Sequence, residues 1–560
     1  MSQIAAQEHN QLCLSADLGS EMYVFRDGKQ KRRTASLLDT VNERIRAQAA
    51  PLDVLLCAGE LEAALCDAGF EWPQVAQLTD RAARSLVEGR EQFSGEREIV
   101  LPSDAPAELT VGVPEGFAFY ALHPLAFAKL AREVHSPGPA AVIGIRSIGA
   151  TLSAVVAASL HASVERTTVR PQGDPYRRST TFSRAQEHWI ERQVARRATF
   201  YITDEGPGLS GSSLIGACEA LEQAGVPRER ITILCTADPH PESLLSENGA
   251  QRWRRYRSFR SAPYLPAALQ GSTWYNADHW RARVFGHSPD APHRWPAAWK
   301  QLESTKYLSS NWRELYRFVG YGHYGRPVIE RYQALAAEQL GPGTEAVEGF
   351  AKFELLGGSA FTSPNWNEKT QHFIVRYLSQ RPKLLRADED VASRNCEAVR
   401  EMVARNTHLL KGEAVRVRLA LERPVYADNR MQPYKFMRSP LGMRKLDGAA
   451  HGDDHFFPGP CDIAWDIAGA IYEWRLSDTA RESLLRDYVA ATGDLFIRSR
   501  LRDWSIAYLA FRCGYCLMAA NAERGSVECE RFLRDARYYC EQLDVAIGNT
   551  RRRASERVPA

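Results

Sequence analysis

The run Phe200-Tyr201-Ile202-Thr203-Asp204-Glu205-Gly206-Pro207-Gly208-Leu209-Ser210-Gly211-Ser212-Ser213 decides the reading of the first half. An apolar strand runs into two adjacent acids, and a loop of glycine and serine then enters a helix. Glycines let the backbone approach a ligand closely. The loop N–H groups and the helix N-terminus together make a phosphate cradle. Paired carboxylates suit the vicinal hydroxyls of a sugar. One compact element thus offers a diol grip in Asp204 and Glu205 and a phosphate grip in Gly208, Ser210, Gly211, Ser212 and Ser213.

Outward from that run the strand, turn and helix order repeats at 109–134, at 140–160 and at 197–225, and ITILCTA (231–237) adds a further apolar strand. This alternation predicts an α/β fold with a parallel sheet, whose ligands bind beyond the strand C-termini. LDVLLCAGELEAALCDAG (52–69) reads as a buried strand followed by a helix. From 241 to 295 the alternation stops. There RWRRYRSFR (252–260) interleaves cations with aromatics, a pattern that can grip a nucleic-acid strand but reads first as a solvated or phosphate-facing connector. From 296 onward the pattern is mostly helical, with amphipathic segments at 326–340, 389–411, 462–475, 478–494 and 503–521.

Composition narrows the class. The 560 residues are 44% hydrophobic and 25% charged, which excludes a disordered or collagen-like chain. A net charge of +3 gives no argument for nucleic acid. Only 11 of the 71 basic residues are lysine, so arginine, which binds planar anions bidentately, must fill most cationic roles. Eleven cysteines are too few for a disulfide scaffold. Cys513-Gly514-Tyr515-Cys516, with Cys529 and Cys540, has zinc-ligand composition but lies on amphipathic helices and reads as core. The polar start and the Arg146, Ser147 and glycine interruptions of 140–160 argue against a secretory signal or a membrane span. The expected location is cytoplasmic.

The 200–213 element resembles the signature of the type I phosphoribosyltransferases, which bind 5-phosphoribosyl 1-pyrophosphate with Mg²⁺. The resemblance implies that Asp204 and Glu205 contact the ribose 2- and 3-hydroxyls and that 208–213 holds the 5-phosphate. Ser210 and Ser213 stand where the family usually has threonine, and Pro207 is an uncommon insertion. Ile143-Gly144-Ile145-Arg146-Ser147-Ile148-Gly149 resembles the family's pyrophosphate loop, with Arg146 and Ser147 at the diphosphate. Arg170-Pro171-Gln172-Gly173-Asp174-Pro175-Tyr176-Arg177-Arg178 is placed like its basic mobile loop, which brings Arg177 and Arg178 over the donor. Breaking the C1–pyrophosphate bond develops oxocarbenium character while charge leaves on pyrophosphate. Glu115, Phe117 and Tyr120 are hood candidates near the acceptor.

A second constellation begins at Tyr426-Ala427-Asp428-Asn429-Arg430-Met431-Gln432-Pro433, continues through Arg444-Lys445-Leu446-Asp447-Gly448, and ends with Asp453-Asp454-His455, Asp462 and Asp466. Two acids about twenty residues apart, each ending an apolar segment, suit phosphoryl transfer: one orients an acceptor hydroxyl and one holds Mg²⁺ on ATP. This resembles the aminoglycoside-phosphotransferase-like branch of the protein-kinase fold. The resemblance makes Asp428 the catalytic acid, Asp447 the metal ligand, and Asp462 or Asp466 the later structural acid. Tyr426 replaces the family's histidine and Pro433 its asparagine, so Asn429 or Gln432 becomes the substitute metal ligand, and Asp453-Asp454-His455 is a separate metal candidate. Gly320-Tyr321-Gly322-His323-Tyr324-Gly325 contains GxGxxG but precedes a helix rather than a strand. The nucleotide cation is Arg317, with Glu330 as its helix partner, or else Lys306 or Lys352. The stretch 350–361 would be the hinge.

The expectation is therefore an N-terminal extension or hood (1–109), a phosphoribosyltransferase-like parallel-sheet domain (110–240), a connector (241–295) and a mostly helical α+β kinase-like domain (296–545). Its partners are small molecules, 5-phosphoribosyl 1-pyrophosphate and ATP, with no membrane or nucleic acid. The alternative is a nucleotide or phosphoribosyl pyrophosphate sensor with a degenerate second half.

Overall fold

The computed structural model describes residues 15–555 apart from 27, 95–96, 136, 161–163, 238–240, 287–293, 356, 363–364, 441, 452–453 and 455. Asp453 and His455 therefore lie outside the described residues.

Two short strands, β1 (Gln30–Arg33) and β2 (Glu108–Val111), pair antiparallel beside the helices Thr34–Arg46, Pro51–Asp67 and Pro73–Val87. The segment expected to be a strand then a helix is one 17-residue helix, Pro51–Asp67. Its apolar run is buried almost all round, so periodicity could not separate helix from strand, and Pro51 in the first turn starts it.

A parallel sheet forms, with strands where the runs at 140–160, 197–225 and 231–237 predict them, but the strand read at the start of 109–134 is β2 in the separate antiparallel pair. The parallel strands are β3 (Ala140–Ile145), β4 (Glu165–Val169), β5 (Thr199–Thr203), β6 (Ile231–Cys235) and β7 (Arg257–Arg260), in the order β4-β3-β5-β6-β7. Every residue of β3 and of β6 is buried, as a sheet covered on both faces requires. The order reverses between β3 and β5, and ligands of such sheets bind beyond that switch point. A Cβ on Gly144 would lie 2.0 Å from the carbonyl oxygen of Gly149, so only glycine lets β3 turn into the helix Gly149–Leu160.

β7 lies inside the stretch read as a connector, so the sheet extends to residue 260. Three of the five arginines of 252–260 pair internally. Arg252 pairs with Glu219 at 2.6 Å, Arg255 with Glu222 at 2.5 Å, and Arg254 with Glu242. Trp253 and Tyr256 are buried, which removes the aromatic platform a nucleic-acid strand would need.

The second half opens at β8 (Thr273–Trp274), also inside the expected connector. It joins β9 (Lys306–Leu308), β10 (Glu314–Phe318), β11 (Thr344–Val347) and β12 (Phe350–Glu354) in an antiparallel sheet of order β11-β12-β10-β9-β8. The helix Arg326–Ala337 packs on β11. Helices follow at Glu368–Leu384, Glu389–Lys411, Ala464–Glu473, Asp478–Thr492, Ile497–Ala522 and Val527–Ser555, close to the amphipathic segments in the sequence. Among them sit β13 (Ser359–Ala360), β15 (Phe436–Ser439) and β16 (Gly442–Lys445) as one sheet, and β14 (Pro424–Tyr426) with β17 (Pro460–Asp462) as another. Residues 350–361 comprise β12 and the link to β13.

The N-terminal extension is divided. Residues 15–26 pack on the helical half, where Asn406 accepts from the Tyr23 N–H at 2.9 Å and donates to its carbonyl at 3.0 Å. Residues 30–111 belong with the first half. The halves share one apolar cluster that contains Leu56, Phe117 and Leu122 from the first and Phe318, Tyr321 and Phe350 from the second. The GxGxxG loop makes this junction. Tyr321 N–H donates to Phe117 O at 3.0 Å, His323 lies 3.1 Å from Glu60, and Arg326 lies 3.6 Å from Asp53. A Cβ on Gly322, at φ +54°, would press to 2.9 Å from Asp53. Cys513, Cys516 and Cys540 are buried and apolar in setting, and no described group of three or more His, Cys, Asp or Glu could hold a metal. No described helix is long and apolar enough to cross a membrane.

Candidate functional site

The crevice beyond β3 and β5 receives the 146–148 turn from one strand and 204–213 from the other. Asp204 Oδ1 accepts the Glu205 N–H at 2.8 Å. Glu205 Oε2 accepts the Gly116 N–H at 2.9 Å, so the hood segment comes down directly on the acid pair. Thr236 pins the Glu205 carbonyl through both its hydroxyl and its N–H, at 2.6 and 2.8 Å. Among the described residues neither acid has an ion-pair partner. Burial pushes Asp204 up to about 7, against partial opposition from the Glu205 amide and from Arg170 and Arg178. Burial, with repulsion from Asp204 and Glu115, pushes Glu205 up to about 8.

The cradle is formed next to them. Gly208 and Gly211 have φ of +57° and +68°, and Gly211 precedes the helix Ser212–Gln223. The loop at 170–178 is an ordered hairpin turn: Gln172 and Ser179 exchange backbone hydrogen bonds of 2.8 and 2.9 Å. It rests on the cradle, where the Pro175 carbonyl accepts from the hydroxyls of Ser210 at 2.8 Å and Ser212 at 2.6 Å. Arg178 reaches Ser213 Oγ at 3.4 Å. Arg177 pairs here with Glu247, 3.2 Å off on the exposed surface.

Arg146 is held by a residue the sequence reading passed over. Asp67, at the end of the helix Pro51–Asp67, accepts from Arg146 Nε at 2.8 Å and from Arg170 Nε at 3.1 Å. A carboxylate thus occupies the two arginines nearest the turn that carries Ser147. Nothing local in the sequence marks Asp67, because only the tertiary packing brings that helix end to β3.

In the second half, Asp466 receives the backbone N–H groups of Asp428, at 3.0 Å, and of Asn429, at 3.2 Å, while Arg381 Nε donates to it at 3.1 Å. Asp466, not Asp462, therefore supports the 426–433 loop; Asp462 accepts instead from the N–H groups of Glu422 and Arg423 and from Arg500. Asp428 is wholly buried, and Tyr377 donates its hydroxyl to it at 2.6 Å.

Asp447 is crowded by cations. Lys445 Nζ lies 2.7 Å from Asp447 and 3.2 Å from Asp428. Lys435 is at 2.9 Å, His451 at 3.3 Å and Arg317 at 3.6 Å from Asp447 Oδ2. Burial alone would raise its acid, but Lys435, Lys445 and His451 hold it well below the ordinary carboxylate range. Arg317 is the candidate cation that reaches this cluster. Lys306 pairs with Glu303, and Lys352 pairs with Glu314 and Glu345. Glu330 is not the partner of Arg317: it lies on the exposed face of its helix, and Arg331 and Tyr332 are buried instead. Two of the chain's eleven lysines converge on one acid, and their rarity was the available signal.

No protein-family model and no curated protein matches this chain. Solved structures are similar over less than half of it. A choline kinase from Streptococcus pneumoniae is 15% identical, with a TM-score of 0.28, and the match covers 43% of this chain and 90% of that one. An ethanolamine kinase from Plasmodium vivax is 11% identical, with a TM-score of 0.30, covering 44% and 80%. Aminoglycoside 2'-phosphotransferase-IIIa, solved with GDP, is 12% identical, with a TM-score of 0.28, covering 44% and 92%.

The two acid sites differ in their fit for Mg²⁺. Asp204 and Glu205 are adjacent, half-buried and without an ion-pair partner among the described residues, and they fit a divalent metal. Asp447 does not fit in this arrangement, because both of its oxygens already face lysines. Asn429 does not rescue it: its side chain donates to Phe457 O at 2.9 Å and accepts from Trp465 at 3.3 Å.

Proposed function

We propose that the first half transfers a phosphoribosyl group from 5-phosphoribosyl 1-pyrophosphate to a small-molecule acceptor. The observation that carries the reading is the pair Asp204 and Glu205, without an ion-pair partner among the described residues, beside a glycine–serine cradle at the sheet's switch point. The two carboxylates hold the ribose 2- and 3-hydroxyls. The 208–213 loop takes the 5-phosphate after the Pro175 carbonyl releases Ser210 and Ser212. Arg146, Arg170 and Ser147 face the diphosphate as the C1–oxygen bond breaks and negative charge gathers on the leaving group. Mg²⁺ bound with the donor supplies further neutralisation of that charge. The hairpin at 170–178 and the hood at 115–120 exclude water from the activated sugar.

The second half is arranged like a small-molecule kinase: an antiparallel sheet with a helix, then a loop bearing Asp428, then a hairpin ending at Asp447. The cations on Asp447 favour the sensor reading for this half over ATP-dependent phosphotransfer.

Replacing Asp204 by Asn together with Glu205 by Gln tests the first proposal. Loss of charge-assisted hydrogen bonds of about 1.5–3 kcal/mol each should weaken donor binding at least about tenfold apiece and stop pyrophosphate release. Unchanged donor affinity by calorimetry sinks the assignment.

A further inference from the structure

A cavity of about 350 Å³ lies between the halves, a size that suits a small metabolite. The hood contributes Phe119 and Tyr120 to its wall, and the second half contributes Arg331, Tyr426, Arg430 and His451. Its lining includes neighbours of both acid sites. Tyr120 follows the hood turn whose Gly116 binds Glu205, and His451 touches Asp447.

The wall is cationic and aromatic. Arg26 and Arg32 join Arg331 and Arg430, opposed by Glu60, Glu303 and Asp454. Most of these charges are engaged: Arg32 lies 3.7 Å from Glu60, and Arg331 stacks 4.3 Å from the Tyr426 ring centroid. Arg430 is different. Its Nε is buried without a hydrogen-bond partner, no described acid forms an ion pair with it, and its guanidinium sits 5.5 Å from the Tyr515 ring centroid. Asp454 in the same wall supports its charge from a distance but forms no described ion pair with it, so a ligand anion can take the direct contact. Guanidinium groups bind phosphate bidentately, and Phe119, Tyr120 and Phe456 offer flat apolar surface for a ring.

We propose that this cavity binds a phosphomonoester that carries a planar ring, with Arg430 on the phosphate: the phosphoribosylated product of the first half, received by the second. The inference rests on the phosphoribosyl-transfer reading, because only that reaction supplies such a product next door.

The test is calorimetric titration of the full-length protein with uridine 5'-monophosphate and with uridine. Ser213→Asp places a carboxylate in the donor cradle and removes phosphate binding there. Uridine 5'-monophosphate should still bind Ser213→Asp, bind Arg430→Ala at least tenfold more weakly, recover in part with Arg430→Lys, and outbind uridine in each protein with Arg430 intact. Phe119→Ala should weaken binding of both probes, which keeps the site testable if Arg430→Ala fails to fold. Failure of uridine 5'-monophosphate to bind wild type overturns the proposal. Loss of binding in Ser213→Asp with none in Arg430→Ala also overturns it, and leaves the donor-site reading standing. Binding that depends on Arg430 in a protein that ignores 5-phosphoribosyl 1-pyrophosphate keeps the cavity as a phosphomonoester site and refutes the donor reading.

Discussion

Each half of the chain brings an acid pair to the end of an apolar segment, and the two pairs are held in opposite electrostatic states. Asp204 and Glu205 have no ion-pair partner among the described residues, and burial pushes them up to about 7 and about 8. Asp447 and Asp428 share Lys445, and Asp447 has Lys435, His451 and Arg317 besides. The first pair is pushed by burial toward its neutral, protonated form; the second is neutralised by the protein's own cations. Sequence motifs record where acids are, but the counter-charge decides whether an acid site is open for chemistry or closed into structure.

The comparison can be broken most forcefully at Asp447. Removing it leaves buried cations uncompensated, so Asp447→Ala should destabilise the second half by about 3–5 kcal/mol, read as a lower denaturation midpoint. A metal-binding acid would behave otherwise: the variant would keep its stability and lose Mg²⁺-dependent ATP affinity. That outcome would make the two sites alike.

A smaller effect is expected at Asp67, which occupies Arg146 and Arg170. Asp67→Asn should free both arginines and tighten binding of inorganic pyrophosphate several-fold, measured by calorimetry with Mg²⁺. Weaker binding would mean that Asp67 orients the arginines rather than competing for them.

The smallest effect is on stability. Between the ordinary carboxylate range and their raised folded values, Asp204 and Glu205 bind more protons folded than unfolded, so their contribution to stability falls as pH rises from about 4 to about 8. The Asp204→Asn, Glu205→Gln protein should therefore melt a few degrees above wild type at pH 8 and together with it near pH 4. Parallel pH profiles would contradict the raised values.

Much of the fold was legible because periodicity and glycine turns are local signals. The segment 389–411 coincides with the helix Glu389–Lys411, and β3, β5 and β6 fall where the apolar runs predicted. The helix Pro51–Asp67 was misread because a wholly buried apolar run has no face to reveal its period. β7 was hidden by its own Arg257 and Arg260 and by the arginines just before it, Arg252, Arg254 and Arg255, whose acid partners lie on the helix Ser212–Gln223 and at 242. In the sites, the acids were legible and their neighbours were not. Asp67 reaches Arg146 across 79 positions, and Arg317 reaches His451 across 134. The GxGxxG run signalled a nucleotide loop by pattern, yet Gly320 and Gly325 pack against each other inside the loop and Gly322 packs against Asp53 and Leu56 of the other half.

The most direct test of the contrast is the proton balance of donor binding, taken from calorimetric titrations of wild-type protein with 5-phosphoribosyl 1-pyrophosphate and Mg²⁺ near pH 7 in buffers of different ionisation enthalpy. Near pH 7 an acid held at about 7 is about half protonated and one held at about 8 mostly so, so binding should release about one to two protons per donor from wild type, and correspondingly fewer from the Asp204→Asn, Glu205→Gln protein. Donor binding with no proton release from wild type, or no donor binding at all, would contradict the account.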